Sequence, residues 1–224
     1  MITSRRRIVG VVLCAGGLAV AAGAAAADLS RSGPPKSELP KSDLPEPDLI
    51  AALQRGGLTI AMRHTSSPAS APSRAEADPG NTGLERQLDA AGRRSAADLG
   101  AAWRALRIPI GEVWSSPTFR ARETVRLAGL PEPRLARELG DGGRSMQAAG
   151  PEQSAWLKAK VAEPTPAGSN RLVVTHAPNL TAAFGAEAEG LKDGEAMIFR
   201  PTAGGQARML GRIAIEEWPK LVQR

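Results

Sequence analysis

The sequence predicts an α/β fold: a three-layer α/β/α sandwich around a mostly parallel central sheet. Two short apolar segments, residues 58–62 and 172–175, have the composition of buried strands. Each is followed closely by one of the only two histidines in the chain, His64 and His176. The predicted elements follow the order β-loop-α-β-α-α-β-α-β-β, in which helices separate most of the strands. Because functional groups in such sheets collect at the carboxyl ends of strands, we expect both histidines at one functional edge.

Residues 1–27 have the pattern of an export signal. A basic start at 5–7 precedes an apolar stretch at 8–22, and the alanines at 25–27 form a cleavage site before Asp28. The apolar stretch is short and rich in alanine and glycine, which favours a cleaved signal peptide over a membrane span. The double arginine also loosely resembles a twin-arginine signal. We therefore expect a periplasmic or secreted protein, exported by the Sec or twin-arginine route, without stable membrane insertion after cleavage.

Composition argues against several classes of function. Cleavage would remove three of the 29 basic residues and none of the 23 acidic ones, so the net charge falls from +6 to +3. That charge is scattered and the chain has no tyrosine, which does not favour nucleic-acid binding. The single cysteine, Cys14, lies in the predicted signal, so no disulfide or thiolate metal site is expected. Two histidines on separate strands lack metal-ligand spacing, and we expect neither a metal nor a cofactor.

The chain is predicted to consist of a signal peptide, a linker and one folded domain. Residues 28–47 are rich in proline and alternating charge, as in an extended linker, so the folded domain is expected to span residues 48–224. A short helix should open it at 48–54. A long polar loop, 65–84, comes directly after His64. Loops of this length in compact domains are often functional, which suggests a pocket wall; a tolerated surface insertion is the alternative.

Periodicity and turn residues indicate the other elements. We predict helices at 88–106, 117–128, 151–162 and 178–185, and strands at 112–115, 134–138, 171–175, 196–200 and 207–215. Asp89 is the expected N-cap of the first of these helices, and Ser116, followed by proline, that of the second. The last two strands should form an antiparallel pair at one edge of the sheet.

A phosphoryl-transfer site is predicted where these elements meet. Arg120 lies in the first turn of its helix, near the end of strand 112–115, which we expect to neighbour the strand that leads to His64. This arrangement would gather Arg63, Arg120, His64 and His176 around one crevice. Guanidinium groups bind phosphate bidentately, and a neutral imidazole can attack phosphorus to form a phosphohistidine. Positive groups around His64 would favour its neutral form. The expected partner is a small phosphorylated substrate.

Four separated motifs resemble the histidine phosphatase (phosphoglycerate mutase-like) superfamily. They are Met62-Arg63-His64-Thr65, Ser115-Ser116-Pro117-Thr118-Phe119-Arg120-Ala121-Arg122-Glu123-Thr124, Val173-Val174-Thr175-His176-Ala177-Pro178-Asn179-Leu180 and Gly194-Glu195-Ala196. The resemblance spans roughly residues 56–218. The chain is similar to small exported bacterial members of the superfamily, which have a long loop after the first motif. The resemblance implies a histidine-phosphatase-like sandwich with His64 as phosphate acceptor. It also implies that Arg63, Arg120 and His176 hold the transferring group.

Two positions depart from the family pattern. Thr65 stands where many members have glycine after the histidine, which should narrow the mouth of the pocket. The general acid, a carboxyl group that protonates the leaving oxygen, is also not evident. Glu138 has a suitable position in the chain, Asp141 competes with it, and Glu195 heads a strand that could reach the crevice. We favour Glu195 as the catalytic acid.

The function expected from these features is that of an exported phosphomonoester hydrolase. His64 would attack phosphorus, an acid would protonate the departing alcohol, and water would then hydrolyse the phosphohistidine. One alternative is a phosphate- or phosphosugar-binding protein of the same fold that lacks turnover. A phosphomutase is another. The oligomeric state and the physiological substrate are not indicated by the sequence.

Overall fold

A computed structural model describes residues 45–141 and 149–223, with six strands and six α-helices in this part of the chain. The strands are β1 (Thr59–Arg63), β2 (Ile110–Ser115), β3 (Arg134–Leu135), β4 (Asn170–Thr175), β5 (Ala196–Pro201) and β6 (Ala207–Ile213). The helices are α1 (Glu46–Arg55), α2 (Ala90–Ala105), α3 (Phe119–Leu127), α4 (Pro151–Ala162), α5 (Ala177–Phe184) and α6 (Trp218–Leu221). Two 3-10 turns, Arg137–Leu139 and Gly185–Ala188, accompany them.

The six strands form one sheet in the order β3-β2-β4-β1-β5-β6. β1, β2, β3 and β4 are parallel to their neighbours within this group. β5 pairs antiparallel with β1, and β6 pairs antiparallel with β5 at the edge. The predicted mostly parallel sheet with an antiparallel pair at one side is therefore confirmed.

The predicted contact between the strands of Arg120 and His64 is wrong. β2, which leads to the Arg120 helix, pairs with β4, and β4 in turn pairs with β1. All six residues of β4 are buried. A strand that is buried along its whole length is suited to the middle of a sheet covered on both faces. As a result, the strands that lead to His64 and His176 are direct neighbours.

Two separate apolar cores cover the two faces of the sheet, as the three-layer prediction requires. On one face, Ile60 and Val174 pack with side chains of α1, α2, α3 and α6, among them Trp103 and Trp218. The rings of these two tryptophans meet edge to face at 5.4 Å. On the other face, Val173 packs with side chains of α4 and α5. Successive residues of a strand therefore point into opposite cores, as expected for a sheet that is covered on both faces.

The start of α3 differs from the prediction. The helix begins at Phe119 with Thr118 as the capping position, not at Pro117 with Ser116 as its cap. The amide of Ser116 donates to the carbonyl of Val174, so this residue still continues the ladder between β2 and β4. At α2 the prediction is confirmed, since Asp89 is the N-cap and its carboxylate accepts the amide of Gly92 at 2.7 Å.

The predicted signal peptide, residues 1–27, and residues 28–44 of the predicted linker lie outside the described residues. Their assignments stay predictions. Within 45–141 and 149–223, no helix combines the length and the apolar character needed to cross a bilayer.

Candidate functional site

The carboxyl ends of three neighbouring parallel strands meet at one edge of the sheet. Arg63 at the end of β1 pairs with Thr175 at the end of β4, and Ser115 at the end of β2 pairs with Val174. The next residue along two of these strands is a histidine. The parallel register therefore places His64 and His176 side by side, with their ring centroids 5.2 Å apart.

His64 has a defined tautomer because its two ring nitrogens face different partners. Nδ1 lies 2.7 Å from the carbonyl oxygen of Thr65, which can only accept, so Nδ1 carries the proton. Nε2 lies 3.1 Å from Nε of Arg120, which can only donate, so Nε2 presents its lone pair. The backbone amide of His64 also donates to the carbonyl of Thr175 at 3.0 Å. Nε2 is therefore the ring nitrogen with the lone pair.

His176 is held in the opposite tautomer by the same arginine. Its Nδ1 accepts from Nη2 of Arg120 at 3.1 Å, and its Nε2 donates to the hydroxyl of Ser116 at 2.9 Å. The hydroxyl of Thr118 lies farther from Nε2, at 3.5 Å. Arg120 thus bridges the two imidazoles, and neither ring can be protonated without losing a hydrogen bond from a cation.

Both histidines are held neutral by their surroundings. Burial is the main cause that lowers the pKa of His64 well below its ordinary value, and His176, Arg120 and Arg63 lower it further. Burial together with Arg120, Arg86 and Arg63 lowers the pKa of His176 to about 3. A neutral imidazole next to fixed positive charge is the form that attacks an anionic phosphoryl group.

Arg120 projects from the second residue of α3, where the first turn of the helix faces the strand ends. Its side chain is almost fully buried, at 5% exposure. Besides the two histidines, it binds the carboxylate of Asp141 through Nη2. Arg120 therefore lies at the centre of the site, as expected from the sequence.

Arg63 lies at the side of this cluster. Its guanidinium pairs with the carboxylate of Asp193 at 2.7 Å and donates to the carbonyl of Leu191 at 3.2 Å. No hydrogen bond between Arg63 and either histidine is found among the described residues. Its charge still lowers the pKa of both rings, so it is near enough to act on an anion bound there.

Arg86 is a further cation at the site that sequence reasoning missed. Its guanidinium donates to the carbonyls of Pro68 and Ser67, at 2.6 and 3.2 Å, which ties together the two ends of the long loop. Burial lowers the pKa of Arg86, as do the charges of Arg120 and Arg63, while Asp141 and Asp193 raise it. Arg86 thus lies within electrostatic reach of the site, although it falls two residues beyond the predicted loop.

The neighbouring residue Glu85 attaches this loop to α3. Its carboxylate accepts the backbone amide of Phe119, the first residue of the helix, at 3.0 Å. A carboxylate at this position is favoured by the helix dipole and satisfies one of the free amides there. Loop 65–84 and its continuation therefore pack beside the site, which supports the pocket-wall interpretation over a surface insertion.

Ser116 and Thr118 were also not recognised as site residues from the sequence. Ser116 was interpreted as a helix cap, but its hydroxyl binds the ring of His176 instead. The sequence signal that could have identified them is a pair of hydroxyl residues between the end of β2 and Arg120 on α3. Both side chains are buried, so their hydroxyls must find partners inside the site.

The three candidate acids have different environments. Asp141 is the one in direct contact with the cluster, through Arg120, and its side chain is 4% exposed. Glu138 lies in the 3-10 turn before it, and its carboxylate pairs with Arg137 at 3.2 Å. Of the three candidates, Asp141 is thus the carboxyl group that contacts Arg120.

Glu195 lies in a buried ion pair with Arg212. One carboxylate oxygen accepts from Nε of Arg212 on β6 at 2.7 Å, and the other accepts the amide of Lys192 at 2.9 Å. The ion pair with Arg212 is buried, with each side chain 5% exposed. Glu195 heads β5 with its side chain on the face of Met197, which packs in the core below α4 and α5. The carboxylate of Glu195 is thus engaged in this ion pair and has no hydrogen bond to His64, Arg120 or His176 among the described residues, and its role as the acid stays a prediction.

The described residues contain no group of three or more His, Cys, Asp or Glu side chains placed to hold a metal ion. No protein-family sequence model matches the chain. No curated protein sequence matches it significantly either.

Solved structures do match. The protein histidine phosphatase SixA, solved as a complex with tungstate, superposes with a TM-score of 0.52 at 18% identity, covering 71% of this chain and 98% of that one. The chain has the fold of the histidine phosphatases. Other structures with this fold include a proposed SixA phosphohistidine phosphatase from Agrobacterium tumefaciens (TM-score 0.49, 20% identity, covering 70% of this chain and 97% of the other). A mutant phosphoserine phosphatase from Entamoeba histolytica, bound to phosphoserine, also matches (TM-score 0.47, 12% identity, 71% and 98% covered).

Within the histidine phosphatase fold, this chain places its paired histidines and Arg120 where parallel strands end. The site residues named from the sequence divide into two groups. Arg120, His64 and His176 form one hydrogen-bonded cluster with Arg63 at its side, whereas Glu195 belongs to a separate ion pair.

Proposed function

We propose that this protein hydrolyses phosphomonoesters through a phosphohistidine intermediate on His64. The observation that carries the proposal is the bridge made by Arg120, which donates to Nε2 of His64 and to Nδ1 of His176 at 3.1 Å each. In this bridge the neutral ring of His64, the proposed nucleophile, faces the guanidinium of Arg120 and the ring of His176. A tetrahedral oxyanion would replace the imidazole nitrogens as the acceptor of these donors.

The first step transfers the phosphoryl group to the protein. The Nε2 lone pair of His64 attacks phosphorus in line with the leaving oxygen, the N–P bond forms and the P–O bond to the alcohol breaks. Positive charge that develops on the ring is shared with the carbonyl of Thr65, which accepts the Nδ1 proton at 2.7 Å. Arg120 stabilises the charge on the equatorial oxygens, and His176 adds its Nε2 proton when the bound group takes that donor over from Ser116.

Asp141 is the proton donor in this scheme. Its carboxylate binds Arg120 in the absence of substrate. When a phosphate group takes over the donors of Arg120, the carboxyl group of Asp141 is released from this contact and enters the step as the acid. The acid proton then goes to the leaving alcohol oxygen. In the second step Asp141 accepts a proton from water, whose oxygen attacks phosphorus, and the N–P bond breaks to release phosphate.

The SixA complex with tungstate supports an oxyanion site in this fold, since tungstate is a tetrahedral oxyanion like phosphate.

We extend the proposal to export: residues 1–27 would direct the protein to the periplasm or medium, by the Sec or twin-arginine route. N-terminal sequencing of protein recovered from the periplasmic fraction tests this, with Asp28 as the expected first residue.

The activity is tested with a panel of phosphomonoesters, comparing wild type with His64→Ala. We expect wild type to release phosphate without added metal, and His64→Ala to release none while melting as one cooperative unit. Rapid acid-free quenching should trap an alkali-stable phosphohistidine in wild type alone. Phosphate binding without release from any ester would instead indicate a binding protein. Transfer of the group to a second alcohol in preference to water would indicate a phosphomutase.

A further inference from the structure

The hydroxyl of Thr124 joins the loop after the nucleophile to the helix that carries Arg120. It donates to the carbonyl of Arg120 at 2.9 Å and accepts the amide of Thr65 at 3.2 Å. Because a hydroxyl has one proton, the remaining 3.2 Å contact between the two threonine hydroxyls has Thr65 as its donor. Thr124 and Thr65 are 1% and 0% exposed, so water cannot replace these bonds.

These bonds close a ring that passes through the nucleophile. The Nδ1 proton of His64 is donated to the carbonyl of Thr65, and the amide of Thr65 is donated to Thr124. Thr124 donates to the backbone of Arg120, whose side chain returns to Nε2 of His64 at 3.1 Å. Every member is therefore positioned by its neighbours, and the tautomer of His64 depends on where the Thr65 carbonyl is held.

We propose that Thr124 and Thr65 are positioning residues that set the tautomer of His64 and its alignment with Arg120. The proposal deepens the proposed function and rests on it. Neither threonine touches the phosphoryl group in this scheme. Loss of the Thr124 hydroxyl leaves the buried amide of Thr65 without its acceptor, and the strand-to-loop turn must shift to satisfy it. That shift moves the carbonyl that holds the Nδ1 proton.

The threonine at position 65 also has a stiff, β-branched side chain with a second bond to the same hydroxyl. A glycine there, as many members of the resembled family have, would make the amide bond to Thr124 but not the side-chain bond. The two bonds from one residue to one oxygen restrict rotation of the Thr65 backbone on both sides. Thr65 is fully buried, so it braces the nucleophile and does not narrow the mouth of the pocket as its replacement of glycine had suggested.

The test compares Thr124→Val, which keeps shape and removes the hydroxyl, with Thr124→Ser, which restores it. Thr59→Val is the matched control: Thr59 is a buried β1 threonine whose hydroxyl has no hydrogen-bond partner among the described residues. We expect Thr124→Val to slow formation of phosphohistidine by about ten- to hundredfold. Thr124→Ser should recover most of that rate, and Thr59→Val should match wild type.

A readout independent of turnover is the tautomer of His64, measured by long-range nitrogen–proton NMR. Wild type, Thr124→Ser and Thr59→Val should show the proton on Nδ1, whereas Thr124→Val should show a mixture of both tautomers. If Thr124→Val lowers the melting temperature and the rate but keeps the Nδ1 tautomer, the positioning role is overturned, as it is if this variant equals wild type throughout. If the tautomers change as expected but wild type hydrolyses no ester, the proposed function fails while the positioning role stands.

Discussion

The guanidinium of Arg120 donates from Nε to Nε2 of His64 over 3.1 Å. An arginine cannot accept a hydrogen bond, so this contact requires a neutral imidazole with its lone pair turned toward the cation. A second donor of the same guanidinium imposes the equivalent condition on His176. Both histidines are therefore held neutral by hydrogen bonds from the one guanidinium of Arg120.

The stability of the protein should fall on acidification because His176 resists protonation. Its pKa lies at about 3 in the folded state, below the ordinary value of about 6.5 that it regains on unfolding. Between these values the unfolded state binds more protons, so the free energy of unfolding decreases as the pH falls below about 6.5. We expect a loss of about 2 kcal/mol at about pH 5 from this residue. Urea unfolding at neutral pH and at about pH 5 measures it.

His176→Gln is the matched variant for that experiment. Glutamine keeps hydrogen-bonding groups but does not titrate, so the variant should lose less stability than wild type over the same pH interval. His64, whose pKa is also lowered, should still contribute to the loss in both proteins. Equal pH dependence in the two proteins would contradict the assignment of His176 as a buried neutral imidazole.

Replacing Arg120 by lysine should impair catalysis although the charge is kept. A lysine ammonium cannot span His64, His176 and Asp141 with the planar set of donors that a guanidinium offers. We expect kcat/KM to fall by roughly 10²- to 10³-fold. Arg122→Lys, two residues along the same helix, is the control and should stay close to wild type in steady-state assays with an aryl phosphate.

Arg86 should contribute to substrate binding more than to chemistry. Its charge acts on His176 and Arg120 from the loop that borders the site. Arg86→Gln should raise KM for phosphate esters, and the inhibition constant of inorganic phosphate, by about tenfold. Arg74→Gln removes the same charge from an exposed position of the loop and should have little effect. If both variants behave alike, general charge rather than placement is responsible.

Asp141→Asn should slow the reaction according to the leaving group. Alkyl phosphates need a proton on the departing oxygen, so their hydrolysis should slow by roughly 10²-fold. p-Nitrophenyl phosphate, which releases a stable anion, should be much less affected. Glu138→Gln, a carboxylate paired with Arg137 outside the cluster, is the control. Equal slowing of both ester types by Asp141→Asn would argue against its role as the acid.

Glu195→Gln should reduce stability without changing the leaving-group dependence. The substitution leaves the guanidinium of Arg212 buried without its carboxylate, which costs about 3 kcal/mol. Denaturant unfolding of Glu195→Gln, of Arg212→Gln and of the double variant measures the coupling between the two residues. A Glu195→Gln protein that is as stable as wild type yet inactive would instead indicate that Glu195 acts in catalysis.

Much of the site could be predicted because its parts are local. A strand that ends in Arg63 and His64, and a helix whose first turn contains Arg120, are each specified by a few consecutive residues. The parallel sheet then brings strand ends to one edge whatever the order of the strands. For this reason the pairing of the histidines was predictable, even though the expected neighbour of β1 was wrong.

The order of the strands and the partners of buried carboxylates depend on contacts that are distant in sequence. β4 lies between β1 and β2, and all six of its residues are buried, a property that emerges only when both cores are assembled. Likewise, Glu195 is directed to Arg212 by the register of the β5–β6 hairpin. The sequence alone determined the α/β fold class and the residue types at the strand ends, since these rest on local pattern and residue type. Only the tertiary structure decided that Asp141, Arg86 and Ser116 join the site, because a side chain far along the chain is placed by packing and charge.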